Sequence, residues 1–209
     1  FVPLFAGVIT WSAVNAASMP LVALEIEANA AMAAMNVAVP PYSQDTPIDL
    51  RQALTAILEP AGFAPLFAEN VPPLQVQRCY LQGTPQDQAA TLMSYFPEVV
   101  GHYALRRFVV RLVNAPIDDS ALQIDATTGL IGYPTYSTSG LSLAILFDAR
   151  VRLGVALDVR TEFDFVNRTR WVASVIQHTL EPNTPGGEWV TQIAAATWGR
   201  KGNANGSET

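Results

Sequence analysis

The residues that could carry out acid–base or nucleophilic chemistry are few in this chain of 209 residues. Its only histidines are His102 and His178, and its only cysteine is Cys79. His178 stands in the strand-like run Val-Ile-Gln-His-Thr-Leu, which favours a partly buried imidazole with a local hydrogen bond. Cys79 stands in the similar run Gln-Arg-Cys-Tyr-Leu, which favours a core cysteine over a Cys–His nucleophile. We therefore expect no catalytic site at these positions.

The carboxylates and glycines indicate loops better than binding sites. Asp118-Asp119 before Ser120 is typical of a turn. Glu162, Asp164 and Asn167 lack the twelve-residue ligand spacing of a calcium loop. No helix follows the scattered glycines around Tyr133-Pro134, as a phosphate-binding loop requires. We expect neither a cofactor nor a metal ion.

Composition excludes further classes of protein. Half of the residues are apolar and 14% are charged, which is unlike a disordered chain. The net charge of −6, with eleven Arg and one Lys, disfavours a nucleic-acid-binding protein. No window of about 18 uncharged apolar residues is present, so we expect no membrane span.

The elements that must position any site are mostly strands. From Phe1 to Pro41 the pattern is β, and Leu24 and Ile26 alternate with Glu25 and Glu27 as in a half-buried strand. The run 32–39 fits either a helix or a strand. We favour a strand because the run is short and a double proline ends it.

Two helices are expected in the middle of the chain. Thr46-Pro47-Ile48-Asp49 and Thr84-Pro85-Gln86-Asp87 each offer Thr as N-cap, Pro at the first helical position and Asp in the first turn. An apolar stripe from Leu50 to Leu58 follows the first start. We expect both helices to pack on strands near 74–81 and 104–113, in one small α/β unit.

The remainder predicts a small antiparallel barrel or sandwich. Its strands are expected at 141–147, 151–159, 171–180 and 189–197. In the second of these, Leu153, Val155 and Leu157 should point inward. The turn between the last two strands should let Trp189 bury its ring against the barrel.

The order of several motifs resembles the baseplate hub proteins of contractile-tailed bacteriophages and their prophage relatives. Residues 128–134 read TGLIGYP, and residues 146–149 read LFDA where the family has LFNP. The pair Leu153-Gly154, the element His178-Thr179-Leu180 and the hairpin PGGEWVT at 185–191 follow in the family's order. Upstream, residues 5–11, 19–20, 31–34 and 81–84 also fit, so the resemblance covers nearly the whole chain.

The resemblance implies a structural role for the matching residues. We expect these residues to serve structure and assembly: Gly129, Gly132, Pro134, Leu146, Phe147, Leu153, Gly154, His178, Gly186, Gly187 and Trp189. The two glycines of TGLIGYP are expected to provide positive φ where a strand turns into the barrel.

The implied fold is mainly β, with two small antiparallel barrels and an α/β insertion. We expect strands of a first barrel, incomplete at its N-terminus, in residues 1–45. The α/β insertion with its two helices should span 46–115 and the C-terminal barrel 116–199, followed by a flexible tail at 200–209.

The implied function is that of a non-enzymatic hub subunit in the tail baseplate of the virion. Such hubs form trimers whose two barrels per subunit make a pseudo-sixfold ring between the tail tube and the central spike. Expected partners are the spike, the tube or tube-initiator protein and other baseplate proteins, with DNA passing through the lumen without specific binding. The alternatives are another ring-forming tail protein, such as a tube initiator, and a cell-wall hydrolase of the tail. A hydrolase would need a carboxylate pair in a cleft, for which Glu162 and Asp164 are the candidates.

Overall fold

A computed structural model describes residues 2–18, 21–138, 140–182 and 185–200. The chain divides into two compact units after Val113, two residues before the domain boundary expected from the sequence. The prediction of a mainly β fold with few helices is confirmed. Most of the tail expected at 200–209 lies outside the described residues.

The described part of the first unit contains nine strands, three α-helices and a 3-10 turn at Glu59–Ala61. In chain order the strands and α-helices are β1 Val8–Ser18, β2 Leu21–Asn29, α1 Met32–Asn36, β3 Tyr42–Gln44, β4 Ile48–Asp49, α2 Leu50–Leu58, β5 Ala64–Phe67, β6 Gln75–Val76, β7 Cys79–Leu81, α3 Pro85–Met93, β8 Val99–Ala104 and β9 Arg107–Leu112.

Strands β1 and β2 form an antiparallel hairpin that presents two different faces. Ser12 pairs with Ile26 and Val14 with Leu24, so these four side chains share one face. The prediction of a half-buried β2 is wrong, because Leu24 is 64% and Ile26 52% exposed. A two-stranded hairpin has no second layer of its own, and no other described element covers this face.

Helix α1 corrects the strand expected at 32–39. Ala33 and Ala34 have the highest intrinsic helix propensity, and Ala34 is buried. The double proline lies beyond Asn36, where the helix ends, so it does not oppose a single helical turn.

Helices α2 and α3 are confirmed, but only α3 starts as expected. Thr84 caps α3 and exchanges hydrogen bonds with Asp87, with Pro85 in the first turn. In α2 the N-cap is Asp49 instead of Thr46, since its side chain accepts from the N–H of Arg51 at 2.7 Å. Ile48 and Asp49 are extended because β4 pairs with β6, so the helix begins only at Leu50.

The predicted apolar stripe of α2 is confirmed as core. Leu50, Leu54, Ile57 and Leu58 are at most 2% exposed. Beside the helix, β5 pairs in parallel with β9, and β8 completes this three-stranded sheet. The remaining strands form two short antiparallel pairs, β3–β7 and β4–β6.

The second unit contains one curled, half-barrel sheet of six strands. Its elements are β10 Ala121–Ile124, β11 Leu130–Ser137, β12 Gly140–Leu146, β13 Ala156–Val159, α4 Asp164–Arg168, β14 Thr169–Leu180 and β15 Trp189–Arg200. The strand order is β10-β13-β14-β15-β12-β11. All neighbours are antiparallel except β10 and β13, which pair in parallel. The prediction of a fully antiparallel barrel is therefore wrong for this pair of strands.

The core of the second unit lies inside the curl of the sheet. Its buried members include Leu141, Leu143, Ile145, Leu157, Val159, Trp171 and Ile193. The alternation of buried residues along β12 and β15 is the period-two pattern of strands with one face on a core.

The long strand expected at 151–159 is wrong in its first half. Only Ala156–Val159 forms β13, while the segment before it turns. Gly154 has a φ of +81°, and the N–H of Val155 donates to the carbonyl of Arg152. A residue in the left-handed region breaks an extended strand. Leu157 is buried as expected, whereas Leu153 and Val155 are only half-buried.

Candidate assembly surfaces

One end of the six-stranded sheet brings several of the sequence-predicted residues together. The ring of Phe147 lies edge-on to the imidazole of His178 at 5.3 Å and to the indole of Trp189 at 6.0 Å. The backbone N–H of Phe147 also donates to the carbonyl of Trp189 at 2.9 Å. Phe147, His178, Trp189 and Thr191 are called the Phe147 cluster below.

His178 makes the local hydrogen bond expected from its sequence. Its Nδ1 lies 2.8 Å from the hydroxyl oxygen of Thr191 on the neighbouring strand, and Thr191 is fully buried. Desolvation lowers the pKa of His178, which favours the neutral imidazole at pH 7. A neutral imidazole held between Phe147 and Thr191 indicates a packing role in this cluster.

Trp189 is less buried than predicted. The side chain is 46% exposed, because it packs on Phe147 at the end of the sheet instead of inside the curl. The indole that anchors the core is that of Trp171, which is fully buried and donates through Nε1 to the carbonyl of Val166 at 3.1 Å. The sequence predicted a strand that begins at Trp171 but did not indicate that this indole is buried in the core.

The glycines of the TGLIGYP element adopt backbone conformations that side chains disfavour. Gly129 has a φ of +109° and Gly132 a φ of +65°. A Cβ on Gly129 would lie 3.2 Å from the Cβ of Leu146, whose N–H donates to the Gly129 carbonyl at 2.8 Å. These values agree with the expected need for positive φ.

The other predicted residues lie at separate places in the second unit. Gly154 donates its N–H to the carbonyl of Ala173 and occupies the turn before β13. Gly186, with a φ of +72°, and Gly187 lie in the turn between β14 and β15, part of which is outside the described residues. Leu153 lies in the turn with Gly154, and Pro134 lies on β11. The assembly roles of all these residues stay predictions.

A group of exposed aromatic rings was not predicted from the sequence. Tyr133 and Phe163 meet with ring centroids 6.3 Å apart, and Tyr136 and Phe165 meet at 4.6 Å. The four side chains are 72%, 52%, 52% and 44% exposed, respectively. They are called the aromatic patch below. Only the alternation of β11 and the apolar residues around α4 could have indicated it, and neither predicts that the two segments meet.

The first unit carries the second exposed apolar surface, on the hairpin of β1 and β2. Val14, Leu24 and Ile26 share one face by strand register, and alternation along β2 adds Val22. Ile9 joins this face through its pairing with Ala28, across the register shift between Ile9 and Trp11. These five side chains are between 52% and 69% exposed. They are called the hairpin face below.

The opposite face of the hairpin is polar. It carries Glu25 and Glu27, and the side-chain amide of Asn15 donates to Glu25 at 2.6 Å. Trp11 pairs with Glu27 on this face and is 46% exposed. The two faces of the hairpin therefore differ in polarity, and the charged side chains lie on this one.

The residues considered for chemistry do not converge. Cys79 is buried in β7, as predicted for a core cysteine. Asp164 pairs with Arg168 at 2.8 Å on the surface, with a side chain 71% exposed, so it forms no enclosed carboxylate pair with Glu162. Within the described parts of the chain, no group of three or more His, Cys, Asp or Glu residues could hold a metal ion.

His102 shares its surroundings with a buried arginine. Burial and the nearby charge of Arg111 lower the pKa of His102. Tyr103 next to it packs edge-on against Phe63 and Phe108, and burial raises its pKa to about 12. These aromatic contacts belong to the core of the first unit.

The second unit also has an open cleft with a volume of about 380 Å³. Asp119 and Asp158 line one part, and the guanidinium of Arg170 covers the ring of Trp198 at 5.1 Å. Asp158 forms an ion pair with Arg160 at 3.1 Å.

Among the described residues, no helix is long and apolar enough to cross a membrane.

Comparison with known proteins yields a structural match without a sequence match. No protein-family model matches the sequence, and no curated protein sequence matches it. In structure, the chain is similar to the crystal structure of the 43 kDa tail protein of prophage MuSo2 from Shewanella oneidensis, with a TM-score of 0.62. The match covers 92% of this chain and 76% of that chain at 9% identity, so the two chains share their fold.

Proposed function

We propose that this chain is a structural subunit of a phage tail, in the baseplate hub of the virion. The observation that carries the proposal is the fold shared over 92% of the chain with a prophage tail protein. The order of the motifs between Thr128 and Thr191, which resembles the hub family, supports the same assignment.

The proposed hub is a homotrimer. In the proposed assembly, two small β-barrels per copy make a pseudo-sixfold ring that joins the tail tube to the central spike. The hairpin face and the aromatic patch support self-association, because contiguous exposed apolar patches of a few hundred Å² or more mark interaction sites on soluble proteins. In a closed ring these surfaces become subunit contacts.

The proposed role is mechanical and involves no catalysis. The surfaces that the chain presents are apolar and aromatic, which suits packing between subunits. Phage DNA would pass through the lumen without specific binding, and the net charge of −6 favours such passage by repelling phosphates. Its partners would be the spike, the tube or tube-initiator protein and other baseplate proteins.

The proposal is tested on tail particles from a phage or prophage that encodes this chain. Deletion of its gene should abolish assembled tails, and a labelled copy should restore them and appear at the tail end that carries the spike. Labelling along the tube, or normal tails without the chain, would contradict the proposal. Peptidoglycan turnover by the purified chain would contradict the non-enzymatic part alone.

A further inference from the structure

We propose that the hairpin face of one copy packs against the aromatic patch of a second copy of this chain. The inference deepens the proposed function and rests on the self-association that a ring requires. It assigns a specific pair of surfaces to that contact, one in each unit.

The hairpin needs a partner for physical reasons. An isolated two-stranded hairpin is marginally stable in water, and it gains stability when a third strand or a second layer covers its apolar side. Val14, Leu24 and Ile26 lie side by side on the hairpin face and are all more than half exposed. The polar face with Glu25 and Glu27 is suited to remain in water.

The aromatic patch is suited to receive an apolar face. Tyr136 and Phe165 each lie 6.3 Å from the ring of the buried Trp171, so the core holds one side of the patch in place. Tyr133 and Phe163 extend the patch outward, and both are more than half exposed. Rigid aromatic rings backed by a core are the residues that dominate binding energy at protein interfaces.

Local backbone geometry decides how the two surfaces meet. β11 is an edge strand, but Pro134 lacks an N–H and Gly132 has positive φ. The pairing of β11 with β12 is also irregular between Ile131 and Thr135. These features block the addition of a further strand to the edge. The contact is therefore made by side chains, face against face.

The sizes of the two surfaces match. Four aromatic rings of about 150–250 Å² each, roughly half exposed, present on the order of 500 Å². The five aliphatic side chains of the hairpin face present a similar area at their observed exposures. Together the surfaces would bury about 1,000 Å², the lower bound for a specific interface, before any polar rim is added.

Symmetry favours this pairing over the packing of two hairpin faces on each other. Two identical surfaces make an isologous contact, which closes as a dimer. The proposed trimer requires a heterologous contact between two different surfaces. A heterologous contact generates a closed ring when its rotation closes.

The experiment is oxidative cross-linking between two variants of the full chain that each gain one surface cysteine. Leu24→Cys is placed on isotope-labelled chains and Tyr133→Cys on unlabelled chains, and the native Cys79 is buried. Tyr95→Cys replaces Tyr133→Cys in the control, because Tyr95 is an exposed aromatic residue outside both surfaces. Intact-mass measurement then identifies which chains are joined.

The inference expects mixed dimers of the Leu24→Cys and Tyr133→Cys chains, and few with the Tyr95→Cys chain. In addition, Leu24→Ser should weaken self-association about 30-fold or more in sedimentation, as for an interface hot spot. A preference for Leu24–Leu24 cross-links, or cross-linking equal to the control, would overturn the assigned surfaces. If such a chain still forms a trimer, the proposed hub survives. A chain that remains monomeric contradicts both.

Discussion

Replacing the buried indole of Trp171 should destabilise the second unit far more than replacing the exposed indole of Trp189. Trp171 is fully buried, contacts Tyr136 and Phe165, and donates a hydrogen bond to the carbonyl of Val166. Truncation of a buried Trp to Ala costs about 3–5 kcal/mol. The unpaired carbonyl adds about 1 kcal/mol or more.

The expected loss in the free energy of unfolding is therefore about 4–6 kcal/mol for Trp171→Ala. That is a large part of the 5–15 kcal/mol by which domains are typically stable. Trp171→Phe keeps most of the ring and loses the hydrogen bond, so it should cost about 1–3 kcal/mol and still fold. Trp189→Ala, at a residue 46% exposed, should cost only about 1–2 kcal/mol.

Urea unfolding followed by far-ultraviolet circular dichroism measures these differences without relying on tryptophan fluorescence. With a slope of about 2 kcal/mol/M, Trp171→Ala should lower the midpoint by about 2–3 M or leave the second unit unfolded in buffer. Trp189→Ala should lower it by less than about 1 M. The reasoning is refuted if Trp189→Ala costs as much as Trp171→Ala.

Three further predictions concern single residues. Gly140→Ala should destabilise the protein by several kcal/mol in urea unfolding, because the added Cβ would collide with the carbonyl oxygen of Ala195 and the φ of Gly140 is +132°. Gly186→Ala has open space around the added Cβ and should cost about 1 kcal/mol. A larger loss for Gly186→Ala than for Gly140→Ala would contradict the close approach of Gly140 to Ala195. Thr84→Ala removes the cap of α3 and should cost about 1 kcal/mol in thermal unfolding, whereas no change would show the cap to be dispensable. In an NMR pH series, His178 should titrate below the usual histidine pKa of about 6.5. The stabilising effect of the neutral imidazole is therefore present above about pH 6.5 and is lost as the pH falls through the pKa of the folded state. A pKa above about 6.5 would contradict the burial of His178.

Local rules predicted the elements whose signals are contained within a few residues. The start of α3 follows from Thr84, Pro85 and Asp87 alone, and the cap and box form as the spacing predicts. The same pattern at Thr46 failed, because pairing of β4 with β6 keeps Ile48 and Asp49 extended. That pairing depends on a distant segment, which no local rule contains.

The two main errors at the candidate site have similar causes. The apolar alternation around Leu153 is that of a strand, yet Gly154 adopts positive φ and turns the chain. Trp171 lies near the start of β14 and Trp189 begins β15, and their sequence neighbours do not show which indole faces the inside of the curl. The aromatic patch depends on α4 meeting β11, a tertiary contact without a sequence signature. Alternation predicted which residues of β2 share a face, but it could not show that these side chains are exposed and not packed under another described element.

The central claim is that three copies of this chain form a ring in a phage tail. Native mass spectrometry of the purified full chain, at concentrations that preserve assembly, tests it most directly. The account predicts a homotrimer of 22.5 kDa subunits that persists on moderate dilution. A stable monomer, or a ring with an even number of subunits, would contradict it.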